Sequence, residues 1–522
     1  MRAVLAHTTS GQVRGQVDGN GIAVFRGIPY ARPPVGERRF LAPAPPDPWL
    51  GTRDAFEQGP GCWQVPSPTL PVGPSMDEDC LYLNVWTPAA ATGGARPVMV
   101  WLHGGAFHFG SCASPSTDGS RLAQRGDVVV VSLNHRLNVF GFLHLQDAIG
   151  DEVQFAGHAG MLDIVQALRW VRENIAAFGG DPDQVTVFGE SGGGRKVSVL
   201  MAMPQARGLF HRAIVQSGAH PRLVPRALAD RFARGLMASL QDRLPGSRPG
   251  APASLRELQA LPAAQLFEAT VRHVDSVRDP ALPASPGARW LVMSPVLDGH
   301  HLAHHPFDPA APAGRDVPLL IGTTKDESAL FLARSTDPTR IDEAAMRERL
   351  QALLGDRAAD LLAAHERARP GESPWTRLVA LSSEDRRLLS IDTALAKLRQ
   401  GGAPVYMYWF TWETDVPWLM SAHTLEIPFV FDTVQASPIT GSSPRRQELA
   451  DRLSDTWVAF ARTGRPVHAG VPYWPPYQLP ERSTMVLDLP LRLVGDPRGD
   501  ERRAWHGSVP MPWEPGASVG AV

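Results

Sequence analysis

The chain is expected to fold as an α/β protein, with a central, mostly parallel sheet flanked by helices and carrying large helical insertions. Three observations point there. Pro97-Val-Met-Val-Trp-Leu102 and Asp127-Val-Val-Val-Val-Ser-Leu133 are almost wholly apolar, as strands buried on both faces must be. After them, apolar residues recur at Leu162, Val165, Leu168, Val171 and Ile175, the three-to-four spacing of an amphipathic helix. A further β-branched run, Gln184-Val-Thr-Val-Phe188, follows. Strand, helix, strand in this order is the alternation of a parallel sheet.

Taken along the chain, residues 10–30 alternate short apolar runs with glycines, the pattern of small antiparallel strands and tight turns. Residues 31–75 are dense in proline and read as irregular. Glu78-Asp-Cys-Leu-Tyr-Leu-Asn-Val-Trp86 alternates apolar and polar residues like a strand. The apolar strand 97–102 runs directly into His103-Gly-Gly-Ala-Phe107, a turn able to expose backbone N–H groups at the sheet's carboxyl edge. The helix of 160–178 is stopped by Gly179-Gly-Asp-Pro182. After Val197–Met203 (helix) and Arg212–Ser217 (strand), residues 222–290 read as inserted helices and loops. Val317–Thr324 returns to strand character and leads into Lys325-Asp-Glu327. Residues 340–400 are helical in composition, Pro404–Phe410 is a late strand, and Leu453–Arg462 a closing helix. No repeat or clean linker divides the 522 residues, so residues 1–522 are expected to form one domain, with insertions around 222–290 and 328–422 roofing a pocket.

Composition narrows the function classes. Hydrophobic residues make up 43% and charged residues 20%, and 51 Lys+Arg against 53 Asp+Glu leave a formal charge of −2. Without a basic run or stripe, nucleic acid and anionic membrane surfaces are not expected partners. The first ten residues hold only a four-residue apolar run, too short for a signal-peptide core, and the longest apolar runs are strand-sized. A cytoplasmic location follows as the expectation. Three cysteines cannot make a disulfide scaffold. Cys62 and Cys80 could close a short loop worth about 3 kcal/mol if oxidised, but reduced thiols are favoured without an export signal.

The chemistry lies in Gly189-Glu190-Ser191-Gly192-Gly193. A glycine-flanked serine between a strand and a helix is the pattern of a nucleophile elbow, whose sharp turn demands small neighbours. A serine hydroxyl needs an imidazole base, itself oriented by a carboxylate. When acid and base follow the serine in that order, four of the 17 histidines qualify: His365, His423, His468 and His506. His365 sits in a charged helical stretch and the last two in polar loops, which reads as surface. His423, in Ser421-Ala-His-Thr-Leu-Glu-Ile-Pro-Phe-Val-Phe431, meets an apolar segment. The acid candidates are Asp298, best read as a turn residue, and the neighbours Asp326 and Glu327, between which pattern alone does not choose. The histidines show no close metal-ligand spacing and no dinucleotide fingerprint is present, so neither metal nor cofactor is expected.

Eight motifs occur in order: Glu78-Asp-Cys-Leu-Tyr-Leu-Asn-Val, His103-Gly-Gly-Ala-Phe, Asn134-His-Arg-Leu-Asn-Val-Phe-Gly-Phe-Leu, Phe178-Gly-Gly-Asp-Pro, Val187-Phe-Gly-Glu-Ser, Gln216-Ser-Gly, Lys325-Asp-Glu and His423-Thr-Leu-Glu-Ile-Pro-Phe-Val-Phe. Together, from about residue 10 to about 506, they resemble the type-B carboxylesterase/cholinesterase family of α/β-hydrolases, particularly its bacterial carboxylesterases. The resemblance implies Ser191 as nucleophile, Glu327 as acid, His423 as base, and an oxyanion hole from the N–H groups of Gly105, Ala106 and Gly192. It implies ion pairs of Arg39 with Glu78 and of Arg136 with Asp163, and Glu190 as a buried orienting group. The expected reaction is hydrolysis of an uncharged small-molecule ester by a monomer or homodimer. Carbamates or amides are the alternative, and a non-catalytic binding relative a remoter one. Phe107, Phe331, Trp412 and Trp418 are candidate pocket aromatics. The chain departs from the family at Gly192, where alanine is common, at Arg195 and Lys196, which replace small or hydroxyl residues, and at Gly157-His158, which replaces glycine-asparagine.

Overall fold

The computed structural model describes residues 2–505 apart from 67–70, 89–93, 242–252, 280, 283–285 and 312. Among the described residues fifteen strands are formed: β1 (Ala3–Thr8), β2 (Gly11–Val17), β3 (Ala23–Pro29), β4 (Thr52–Asp54), β5 (Tyr82–Thr87), β6 (Arg96–Leu102), β7 (Val129–Leu133), β8 (Gly180–Glu190), β9 (Arg212–Gln216), β10 (Val224–Pro225), β11 (Val296–Leu297), β12 (Leu319–Thr324), β13 (Val405–Phe410), β14 (Ser483–Leu487) and β15 (Arg492–Gly495). Thirteen join one sheet in the order β1-β2-β3-β5-β7-β6-β8-β9-β12-β13-β14-β15, with β4 beside β2, while β10 and β11 pair separately. From β7 to β14 every pairing is parallel, and both ends of the sheet are antiparallel apart from the short β4, which runs parallel to β2.

The apolar runs are buried on both faces because helices cover both. Alternate residues of β6 enter separate cores: Val98, Val100 and Leu102 pack with Leu162, Val165 and Leu168 of the helix Ala159–Asn174. Met99 and Trp101 pack with Leu453, Trp457 and Phe460 of the helix Arg446–Thr463. This period-two division between two helical layers is what the continuous hydrophobicity of the strand encodes.

Two local expectations need correction. Glu78–Leu81 stays outside β5, because the Glu78 carboxylate is turned inward to Arg39. The helix expected at 453–462 begins at Arg446 and does not close the fold, since β14 and β15 follow it. Cys62, Cys80 and Cys112 are buried free thiols, so Cys62 and Cys80 are not joined; Leu137 N–H donates to Cys62 Sγ at 3.3 Å, and Cys80 is pushed well up by its contact with Cys62 and by burial.

Residues 222–290 carry helices Arg226–Leu240, Leu255–Ala260 and Ala263–Ser276. Arg39 anchors them: it pairs bidentately with Glu78, at 2.7 and 2.5 Å, and Nη1 donates to the carbonyls of Leu258 and Leu261 at 2.8 and 2.7 Å. Arg136 pairs bidentately with Asp163, at 2.8 and 2.6 Å. Both expected ion pairs are present and buried. No described helix is long and apolar enough to cross a membrane.

Candidate active site

β8 ends at Glu190, and the helix Gly192–Leu200 starts at once. The residue between them, Ser191, has φ 54° and ψ −119°, a backbone conformation that costs roughly 1–3 kcal/mol outside glycine. Its N–H is held by the Gln216 carbonyl of β9 at 2.8 Å. Small neighbours are required because the helix start presses against the end of β6: a Cβ on Gly193 would overlap the Leu102 carbonyl.

The turn after β6 lies against this elbow. A Cβ at Gly192 would overlap the backbone N, Cα and O of Ala106, so the two backbones lie in direct contact. Gly105 (φ 89°) and Ala106 (φ 50°) both take left-handed conformations there. Glycine at 192 is therefore a steric requirement of this chain and not only a looser version of alanine. Lys196, one turn along the helix and fully buried, donates from Nζ to the His103 carbonyl at 2.9 Å. Burial alone holds its amine well below the ordinary lysine value. Arg195 is held down to about 10 by burial and then by Arg386.

His423 and Glu327 meet through Nδ1 and Oε2 and are buried. Asp326 explains how. It forms an isolated bridge with Ala422, and its Oδ2 accepts from Ser421 N–H at 3.0 Å, which pins the loop carrying His423 beside Glu327. Of the two neighbouring acids, Asp326 fixes the backbone and Glu327 reaches the imidazole. Glu327 Oε1 also accepts from Thr324 N–H at 3.0 Å. Burial opposes ionisation of Glu327, but the facing His423 and then Arg386 outweigh it and hold the carboxyl below its ordinary range. Burial lowers the His423 pKa from its ordinary value despite the opposing pull of Glu327.

Nε2 of His423 lies 3.1 Å from Oε1 of Glu190, the residue preceding Ser191. No hydrogen bond joins His423 to Ser191 Oγ in this structure; the serine is brought near the pair through its neighbour. Hydrogen bonds of this kind are often long before substrate binds. Arg386 Nη1 stands 3.4 Å from both ring nitrogens, and the Phe331 ring lies 5.2 Å from the imidazole.

Two site residues were missed by sequence reasoning. Glu426 Oε1 accepts from Gln216 Nε2 at 3.3 Å, and burial followed by repulsion from Glu327 raises its pKa to about 8. Glu190 is raised well above 4.5 by burial, Glu426 and Glu327. The spacing of three from His423 was the available signal for Glu426. Arg386 belongs to the run Glu384-Asp-Arg-Arg387 inside the helix Pro374–Gln400, where buried charge on a helix was the signal. Of the other aromatics, Phe107 packs on Phe142 and His220. Trp412 sits in the second core against Phe429, and Trp418 is 46% exposed. His365 is buried among Glu372, Glu501 and Arg369, not on the surface. His506 lies outside the described residues.

The carboxylesterase family model matches residues 2–502. Para-nitrobenzyl esterase of Bacillus subtilis (strain 168) is 38% identical over 507 residues, covering 95% of this chain and 97% of that protein. Phenmedipham hydrolase of Pseudarthrobacter oxydans is 34% identical, covering 92% and 94%. The structure of the Geobacillus stearothermophilus carboxylesterase EST55 superposes with a TM-score of 0.81 at 39% identity, covering 96% of this chain and 99% of that one. In fold, in sequence and in its relatives, the chain belongs to the carboxylesterase family, and it is a carboxylic ester hydrolase of the serine esterase type with the α/β-hydrolase fold.

Proposed function

We propose that Ser191 is the nucleophile, His423 its general base and Glu327 the acid that orients the imidazole, with the N–H groups of Gly105, Ala106 and Gly192 as the oxyanion hole. The observation that carries this reading is the buried His423–Glu327 contact, whose second ring nitrogen is turned toward the Glu190–Ser191 elbow. His423 takes the Ser191 proton as Oγ attacks the ester carbonyl, and the tetrahedral oxyanion is held by the three donors. The imidazolium then protonates the leaving alcohol, and water repeats the sequence to release the acid. Each oxyanion donor is worth about 3 kcal/mol of barrier.

The substrate proposed is an uncharged ester with an apolar acyl or aryl group, bound beside Phe331 and roofed by segments of 222–290 and 328–422. The enzyme acts in the cytoplasm as a monomer or homodimer. A panel of p-nitrophenyl esters of rising acyl length, with carbamates and anilides alongside, tests the substrate class. Ser191→Ala is expected to lower kcat on the best of these by about 10⁶-fold, and an organophosphate is expected to label the parent chain once, at Ser191. Near-normal turnover in the variant, or labelling elsewhere, refutes the assignment.

A further inference from the structure

A second buried imidazole–carboxylate cluster takes no part in this reaction. Asp298 follows β11. Its Oδ1 accepts three backbone N–H groups, from His300, His301 and Leu302, at 2.9, 2.9 and 3.0 Å. That leaves Oδ2, which lies 3.0 Å from His158 Nε2 and 2.9 Å from His301 Nδ1. The three side chains are only 1–3% exposed. His158 is the residue at which the chain departs from its family, and it comes from the short turn before the helix Ala159–Asn174, 140 residues away from Asp298.

We propose that His158, Asp298 and His301 form a divalent-metal site for Zn²⁺ or a related first-row ion that prefers nitrogen and oxygen donors. One atom from each residue lies within 4.8 Å of the other two. Two imidazoles and a carboxylate are a common zinc donor set, with bonds of about 2.0–2.2 Å. Right-angled ligands at that bond length lie about 3.0 Å apart and tetrahedral ones about 3.3 Å, so the two carboxylate–imidazole spacings need to open by a few tenths of an ångström at most, while the two imidazole nitrogens lie within 4.8 Å of each other. The backbone donors on Oδ1 fix the carboxylate, as outer-shell partners of metal ligands do.

The ion takes the lone pairs of His158 Nε2 and His301 Nδ1, with each ring's proton carried on the other nitrogen, Nδ1 in His158 and Nε2 in His301. Gly299 and His300, directly above the site, are exposed and offer a way in. The nearest cation, Arg226, donates to the Asp298 carbonyl at 3.4 Å, but its charge is matched by Asp147. Phe155 and His300 place ring edges against His301. The remaining coordination position falls to water. The ion would clip the start of the long helix to the segment that follows the 222–290 insertion.

The test uses the full chain, stripped of metal with a chelator and titrated with Co²⁺ and then Zn²⁺. Expected are one Co²⁺ per chain with visible d–d bands, displacement by Zn²⁺, a dissociation constant tighter than roughly 10 µM, and a rise in Tm of roughly 2 °C or more. His158→Asn and His301→Gln should abolish the bands, whereas the paired variant His304→Gln/His305→Gln should keep them. A well-folded parent chain that binds no Co²⁺ at 50-fold higher concentration overturns the proposal without any variant. So does binding that survives in His158→Asn and His301→Gln but is lost in the paired variant, which would place the ion on surface histidines. Esterase activity is not the readout, so the outcome is independent of the catalytic assignment.

Discussion

Two buried sites in this molecule are built from the same residue types in opposite proportion. At His423 one imidazole is surrounded by Glu327, Glu190 and Glu426, and at Asp298 one carboxylate is shared by two imidazoles. In the first, burial and mutual repulsion push Glu190 and Glu426 up, and only Glu327, in direct contact with the imidazole, is held down. In the second, burial works against ionisation of Asp298, but the hydrogen bonds from His158 and His301 overcome it and hold the carboxyl far below its ordinary range. The ratio of acids to bases, more than burial itself, decides which groups keep their protons.

The largest effect within this comparison comes from neutralising the one carboxyl held below its ordinary range in the carboxyl-rich site. Glu327→Gln keeps the shape but cannot hold the His423 tautomer or stabilise the imidazolium, and kcat is expected to fall by roughly 10³–10⁴; steady-state kinetics on a p-nitrophenyl ester measures it, and a loss below tenfold would move the acid's role elsewhere. Next comes the imidazole-rich site. Asp298→Asn leaves two buried imidazoles and three backbone donors facing a neutral amide, and unfolding stability is expected to drop by roughly 1–3 kcal/mol in chelator, read by denaturant melts, with kcat changed less than twofold.

The smallest effect is a pH dependence that sharpens the contrast. Glu426 has its pKa raised from 4.5 to about 8, so the stability it contributes is full below 4.5 and is lost as pH rises to about 8. Glu426→Gln should match the parent chain near pH 4.5 and gain on it up to pH 8, then hold constant. His158 has the opposite sign: its pKa is lowered from 6.5, so its contribution is full above 6.5 and lost as pH falls. A parent profile flat between pH 4.5 and 8 that Glu426→Gln leaves unchanged contradicts this.

Much of the catalytic constellation was legible because it is local. The elbow, the turn after β6 and the apolar strands are short stretches whose backbone demands glycine or continuous hydrophobicity, and β6, β7 and β8 form where those runs lie. The choice between Asp326 and Glu327 was not legible from pattern, since both are buried and both serve the same loop; only the contact with His423 separates them. His365 read as surface because its helix is charged, yet its charges are neighbours in one buried network. β14 and β15 escaped notice behind proline-rich loops. The Asp298 cluster was beyond reach in principle: nothing in Gly157-His158 announces a partner 140 residues further on.

The double duty of Arg39 has a consequence for how the protein is made. Its partner Glu78 is synthesised soon after it, but the two carbonyls that complete its shell, at Leu258 and Leu261, lie 219 and 222 residues downstream. At a ribosomal rate of about 5–20 residues per second, that interval lasts roughly 10 to 45 s. Throughout it the N-terminal strands hold a guanidinium whose final acceptors do not exist. Arrival of the insertion is thus a checkpoint in biogenesis, and nascent chains stalled before residue 261 are expected to be protease-sensitive around Arg39 while longer ones are not.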